Sequence, residues 1–187
     1  DEDLALMRVL PNLKVLVPSN PDELREAVKI ALAYNGPVYI RCARDSVPNL
    51  PVKQQMEMGK AVVLEDEGND FAMIYEGSTT DLAMRSFEAY REKGKKGKLI
   101  NIFSVKPVDR ELIRAVAEKV EKIVTIENHS IIGGLGGLVA ETICDMPKHA
   151  PLARVGVEDV FTESGSLKAV KEKYGLTVEN VLKKLEE

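Results

Sequence analysis

The sequence predicts an α/β fold with a mostly parallel sheet layered between helices, preceded by a partial α/β domain. Short apolar, β-branched runs alternate along the chain with segments whose apolar residues recur at helical spacing. Such an alternation of strands and helices favours a mostly parallel sheet that is covered on both faces. The chain has 187 residues, of which 44% are hydrophobic, so it contains enough apolar material for a substantial core.

A helix start is encoded clearly in the first part of the chain. Asn20 can cap the helix, Pro21 suits its first position, and Glu23 completes a capping-box-like start. The pattern ends at Gly36-Pro37. The other elements predicted in this part are a helix at 4–10 and strands at 13–18 and 38–43.

The composition of the sequence changes at residues 45 to about 57. Pro48 and Pro51 resist both helix formation and sheet pairing, so we interpret this segment as an interdomain linker. Residues 94–98 read as a basic, solvated turn. Beyond the linker the patterns predict strands at 60–64, 71–75, 99–103 and 152–157, and helices at 81–93, 109–120, 167–174 and 178–185.

The stretch from Val124 to Glu141 carries the most distinctive pattern. A β-branched strand ends in Glu127 and His129, passes a turn that contains Gly133, Gly134 and Gly136, and continues as a helix. Such a histidine can act as a base, a phosphate donor or an interface hydrogen-bonding group. The glycines can bring backbone N–H groups against a phosphate, but their spacing is not that of a dinucleotide fingerprint, and close backbone packing is the alternative.

Composition excludes several classes of function. The 26 Lys and Arg residues against 30 Asp and Glu residues leave a net charge of −4, with no basic stripe for a nucleic acid. No apolar run approaches the ~20 residues of a membrane span. Cys42 and Cys144 lie far apart, which we interpret as reduced, buried thiols of a cytoplasmic protein. His129 and His149 are too distant in sequence to indicate a metal site.

Five segments, in order along nearly the whole chain, resemble the C-terminal section of thiamine-diphosphate-dependent transketolases. They are Glu2-Asp3-Leu4-Ala5-Leu6-Met7-Arg8 with Pro11-Asn12, Gly36-Pro37-Val38-Tyr39-Ile40-Arg41, residues 102–107 with Asp109, residues 127–136, and Gly156-Val157 followed by Glu163-Ser164-Gly165.

The resemblance implies that residues 1–48 are the end of a pyrimidine-binding domain and that residues 49–187 form the transketolase C-terminal domain. Members of the family move a two-carbon ketol unit between sugar phosphates with thiamine diphosphate and a divalent cation such as Mg²⁺, and they work as dimers. The diphosphate and the metal are held by a different domain. The chain also starts inside a helical pattern without Met, so we expect a fragment or a processed chain that needs an N-terminal section or subunit, binds no cofactor alone and is inactive alone.

The resemblance also assigns a role to one arginine. Arg44 occupies the position of an arginine that contacts the substrate phosphate in transketolases, and a guanidinium offers paired, permanently charged donors to a phosphate. Arg41 is the alternative candidate if the alignment is shifted, and an arginine paired with a carboxylate at a strand end is the structural alternative. Asp45-Ser46 departs from the Gln-Asn common in the family, which leaves the donor preference open.

No catalytic residue or metal ligand is expected in this chain, because the resemblance places the chemistry elsewhere. Glu127, His129, Gly133, Gly134 and Gly136 are then structural or interface residues. Parts of a deoxyxylulose-phosphate synthase or of a two-oxoacid dehydrogenase beta subunit are alternatives within the superfamily. A non-catalytic dimerisation module, which would expose apolar side chains on the first helix and around Ile131-Ile132, and a free-standing nucleotide-binding domain are alternatives of other classes.

Overall fold

The computed structural model describes residues 2–43 and 56–187, and these residues form two successive sheets. Arg44 and most of the predicted linker lie outside the described residues. The strands are β1 (Lys14–Leu16), β2 (Val38–Ile40), β3 (Val62–Asp66), β4 (Phe71–Tyr75), β5 (Gly97–Asn101), β6 (Ser104–Lys106), β7 (Ile123–Ser130) and β8 (Leu152–Val157). The helices are α1 (Asp3–Val9), α2 (Pro21–Ala33), α3 (Thr80–Glu92), α4 (Arg110–Ala117), α5 (Leu135–Ile143), α6 (Leu167–Lys173) and α7 (Val178–Glu186).

The larger sheet has the order β3-β5-β4-β7-β8 and is parallel except for β3, which runs antiparallel at one edge. Alternate residues of β4 point to opposite faces. Phe71 and Met73 pack in a core with α3 and α7, whereas Ala72 and Ile74 pack in a core with α4 and α5. The predicted mostly parallel sheet between helical layers is therefore confirmed.

The smaller sheet has the order β2-β1-β6, with β1 parallel to β2 and antiparallel to β6. The patterns did not predict β6, because a three-residue strand next to Pro107 carries little periodic signal and its pairing partner is far away in sequence. Since β1 and β6 come from opposite sides of the predicted linker, the first part of the chain shares a sheet with the second.

The start of α2 follows the prediction. The Asn20 side chain accepts hydrogen bonds from the backbone N–H groups of Asp22 and Glu23, both at 3.0 Å. The Glu23 carboxylate reaches back to the N–H of Ser19 at 2.7 Å, one residue before the cap. This exchange satisfies donors that the first turn of a helix leaves without partners.

Two expectations about the burial of side chains were wrong. Cys42 and Cys144 are exposed rather than buried, because Cys42 follows the edge strand β2 and Cys144 lies at the C-terminal cap of α5, where its thiol donates to the carbonyl of Glu141. Lys98 belongs to β5 and is buried, with its ammonium paired to Asp66, so the basic turn is shorter than expected. Among the described residues, no helix is long and apolar enough to cross a membrane.

Candidate functional site

The strand order of the larger sheet marks one crevice as a place where a ligand is expected. The chain passes from β4 through α3 to the neighbouring β5, and later from β7 through α5 to β8 on the other side. Because α3 and α5 cover opposite faces, a crevice opens at the carboxyl ends of β4 and β7, which is the usual ligand site of open α/β sheets. Glu76 follows β4, and residues 127–130 end β7.

The crevice is filled by Arg41, which follows β2 of the smaller sheet. Its guanidinium donates from Nη2 to the carbonyl of Asn128 at 2.9 Å and from Nε to Oδ2 of Asp3 at 2.8 Å. Its Nη1 lies 3.5 Å from Oε2 of Glu76. Glu76 in turn accepts the N–H of Asn128 at 2.8 Å through Oε1. The chain's own cation therefore lies at the edge of the sheet where the strand order predicts a ligand.

The positive and negative charges of this cluster compensate one another. Burial alone lowers the pKa of Arg41, but the charge of Glu76 and the hydrogen bond to Asp3 outweigh it and raise that pKa. Burial likewise works to raise the pKa of Asp3, but the hydrogen bond and the charge of Arg41, assisted by the hydroxyl of Tyr39, hold it below its usual value. Arg41 thus has the surroundings of an arginine that joins α1, β2 and the larger sheet.

The glycine turn before α5 binds an anion that belongs to the chain itself. The carboxylate of Glu127 accepts the N–H of Leu135 at 2.6 Å and that of Gly136 at 2.9 Å, so it sits at the positive end of α5. A Cβ atom at Gly134 would lie 1.9 Å from Oε2 of Glu127, and one at Gly136 would lie 2.6 Å from Cδ of Arg154. The glycines are needed for this close approach, and the two amides are not available to a phosphate.

Glu127 is fully buried, and this changes its acidity. Burial raises the pKa of the Glu127 carboxyl to about 7, although the N–H groups of Gly136 and Leu135 oppose the shift. The negative charge of Glu76 raises that pKa further, and Arg154 opposes it. Glu127 therefore exchanges its proton near neutral pH while it holds the start of a helix.

His129 is also fully buried and joins the crevice to α1. Its Nε2 accepts the N–H of Ala5 at 3.4 Å, and its Nδ1 lies 2.7 Å from the carbonyl of Ser130. A ring with its proton on Nδ1 satisfies both contacts. Nδ1 is 3.9 Å from Oε2 of Glu127, so the pair lies close together without a direct hydrogen bond. His149 is exposed.

Arg8 adds a second connection between α1 and the glycine turn. Its Nη1 donates to the carbonyls of Gly133 at 2.5 Å and Gly134 at 3.1 Å, and its Nη2 pairs with Glu141 at 2.6 Å. The sequence patterns had not singled out Arg8, Asp3 or Glu76 as site residues. The sequence offered one signal for Glu76, which is a charged residue directly after a buried strand.

The described residues do not contain a group of three or more His, Cys, Asp or Glu side chains that could hold a metal ion. Asp3, Glu76 and Asn128 instead contact Arg41 of the same chain. What the structure defines is an α/β module whose switch point is filled by a segment of its own chain.

Comparison with known proteins identifies the family. The model of the transketolase C-terminal domain matches residues 59–181, and that of the transketolase pyrimidine binding domain matches residues 1–49. The chain belongs to the transketolase family.

Similar proteins are longer than this chain. One subunit of the apulose-4-phosphate transketolase of Phocaeicola vulgatus is 35% identical over 183 residues, which cover 97% of this chain and 58% of the relative. The 1-deoxy-D-xylulose-5-phosphate synthase of Acidobacterium capsulatum is 36% identical over 98% of this chain and 30% of the relative. A solved structure, a split gene transketolase described as an inactive beta4 tetramer, is 41% identical with a TM-score of 0.92, over 99% of this chain and 60% of that one.

Proposed function

We propose that this chain is the C-terminal portion of a transketolase that transfers two-carbon ketol units between sugar phosphates. The observation that carries the proposal is the match to the split gene transketolase over almost the entire chain, at high structural similarity. The filled switch-point crevice supports it, because a module whose expected ligand site holds its own Arg41 is suited to work as one part of a larger enzyme.

Thiamine diphosphate and a divalent cation such as Mg²⁺ would be held by another part of the enzyme. The described residues do not fit either group: the carboxylates of the crevice are engaged by Arg41 and by backbone N–H groups, and the glycine turn holds Glu127. The chain alone is then inactive and binds neither group.

Arg44 is the residue we propose for the substrate phosphate. Arg41, the alternative, has its Nε and Nη2 groups committed to Asp3 and Asn128 and its charge matched by Glu76, which favours a structural role. A guanidinium with free paired donors suits a phosphate dianion.

The proposed partners follow from the relatives. An N-terminal section or subunit would complete the enzyme, and copies of this chain would associate, as in the beta4 tetramer of the similar split gene transketolase. We expect a cytoplasmic enzyme of the pentose phosphate pathway that works as a dimer of complete units. The second candidate is part of a 1-deoxy-D-xylulose-5-phosphate synthase, which the similar Acidobacterium capsulatum protein supports.

Reconstitution with the N-terminal section tests the proposal. Mixed with thiamine diphosphate and Mg²⁺, the two parts should transfer ketol units between sugar phosphates, and each part alone should not. Formation of deoxyxylulose phosphate instead would establish the second candidate. Micromolar binding of thiamine diphosphate to this chain alone, measured by calorimetry, would contradict the placement of the cofactor.

The same assay tests Arg44. Arg44→Ala should raise the KM for phosphorylated sugars by about 10- to 100-fold, the value of a lost charge-assisted hydrogen bond, and leave the KM for hydroxypyruvate nearly unchanged. Arg25→Ala, which removes an exposed arginine of α2, is the matched control. Equal changes for both substrates would reject the phosphate role.

A further inference from the structure

An exposed turn that contains an asparagine followed by a glycine joins α2 to β2. Of the eight asparagines in the sequence, Asn35 alone precedes a glycine. Asn35 and Gly36 are both exposed and follow Tyr34, the C-terminal cap of α2. The main chain and the side chain of this pair are therefore open to water.

The side-chain amide of Asn35 is not held by the fold. In the described part of the chain it takes part in no hydrogen bond. Other asparagines are engaged: Asn101 is buried and donates its amide to Glu23 at 3.0 Å. Asn180 donates its amide to the carbonyl of Gly175 at 2.9 Å. The amide of Asn35 is therefore free to turn toward its own main chain.

Gly36 supplies a main-chain nitrogen that can attack this amide. Glycine has no Cβ, so no side chain obstructs the approach, and its backbone reaches conformations that other residues avoid. The N–H of Gly36 donates to the carbonyl of Tyr34 at 3.1 Å. This bond closes a three-residue turn, so opening it unravels neither a helix nor a strand.

We propose that Asn35 is a site of spontaneous modification, where the side chain loses ammonia through a cyclic imide and yields an isoaspartyl linkage. The Gly36 nitrogen loses its proton to hydroxide and bonds to Cγ of Asn35. The Cγ–Nδ2 bond breaks, and the amide leaves as ammonia with a proton from water. This attack is favoured over that of free water because both groups are already joined in one chain.

Water then opens the imide in one of two ways. Attack at Cγ gives an aspartyl residue with the original main chain. Attack at the main-chain carbonyl of residue 35 breaks its bond to the Gly36 nitrogen, which stays bonded to Cγ, and this gives the isoaspartyl linkage. Neither route needs an oxidant or a reductant.

The isoaspartyl linkage changes the main chain directly before β2. The path then runs through Cβ and Cγ of residue 35, so it is longer by one atom and carries a new carboxylate. The carbonyl of Pro37 accepts the N–H of Lys14 at 3.0 Å, and β2 begins at Val38. A longer turn displaces these groups, so we expect the modified chain to pair β1 with β2 less tightly.

Incubation at mildly alkaline pH, followed by tryptic digestion and mass spectrometry, tests the proposal. Asn35 lies in the peptide 30–41, and the peptide 61–85 contains Asn69, an exposed asparagine that precedes a larger residue. The first peptide should be converted at least about tenfold faster, because only Gly36 offers an unhindered nitrogen. The product should contain the isoaspartyl form, since direct hydrolysis of the side chain gives the aspartyl form alone.

A pair of variants separates this modification from other effects of ageing. In Asn35→Gln the longer side chain would have to close a larger ring, so the peptide 30–41 should stay unconverted. Asn69→Gln is the matched control and should be converted at Asn35 like the wild type. After incubation, thermal unfolding followed by circular dichroism should show a lower Tm for the wild type and the control, and an unchanged Tm for Asn35→Gln.

Three results would overturn the proposal. They are equal conversion of the two peptides, a product at residue 35 that contains the aspartyl form alone, and a loss of Tm in Asn35→Gln as large as that of the wild type.

Discussion

Glu76 and Glu127 are two fully buried carboxylates at the ends of adjacent parallel strands, yet their charges are balanced in different ways. Glu76 faces the guanidinium of Arg41 at 3.5 Å. Glu127 faces the backbone N–H groups of Leu135 and Gly136. The first carboxylate is matched by a full charge from another part of the chain, and the second by the partial charges of a helix start.

The two carboxylates therefore have different structural tasks. The Arg41–Glu76 pair joins the smaller sheet to the larger one, so removing one partner leaves a buried charge alone. The Glu127 contacts close a local turn. Burial raises the pKa of the Glu127 carboxyl to about 7 although these contacts oppose the shift, which makes the turn sensitive to pH. Three substitutions separate these tasks.

Arg41→Met should have the largest effect. It leaves Glu76 and Asp3 without their cation, so we expect the free energy of unfolding to fall by about 3–5 kcal/mol. Urea denaturation followed by circular dichroism measures this. Arg85→Met removes an exposed arginine that pairs with Asp81 at 2.9 Å and should change the same free energy by less than about 1 kcal/mol. If the free energy of unfolding fell by a similar amount for both variants, Arg41 would not join the smaller sheet to the larger one.

Gly134→Ala should come next. The new methyl group would lie 1.9 Å from Oε2 of Glu127 and 2.6 Å from Nδ1 of His129, and we expect a loss of about 1–3 kcal/mol in the free energy of unfolding. The matched control is Gly137→Ala, three residues on in α5, where the nearest atoms lie 3.9 Å from the new methyl group. The control should gain up to about 1 kcal/mol from helix propensity. A neutral Gly134→Ala would show that the turn does not hold Glu127 tightly.

Glu127→Gln should change the pH dependence of stability. Because the folded-state pKa of Glu127 lies near 7 and above the unfolded value of 4.5, the folded protein binds its proton more tightly in this window. The free energy of unfolding should therefore decrease as pH rises from about 4.5 to 7, by at most about 1.4 kcal/mol per pH unit from this group.

Comparison of unfolding at pH 5, 6, 7 and 8 isolates that contribution. Glu127→Gln should lack it, whereas Glu118→Gln, a change at an exposed glutamate, should keep the wild-type slope. Parallel curves for the wild type and Glu127→Gln would contradict the raised pKa.

Local patterns predicted much of the fold. The cap formed by Asn20 and Glu23 is a contact within one turn of helix, and β4, a strand of the larger sheet, is a fully buried run whose apolar composition predicts a strand. The glycine turn was also visible, because only glycine permits the approach of Glu127 to α5. These features depend on neighbours in sequence, so the sequence contains the information for them directly.

What the sequence by itself determined is therefore the α/β class, most elements and the family resemblance. Only the tertiary structure decided that β6 completes the smaller sheet, that Lys98 is buried, and that Arg41 fills the crevice between Glu76 and Asn128. The physical reason is distance along the chain. These contacts join residues tens of positions apart, and their energy comes from burial and charge matching that no local pattern of residue types records.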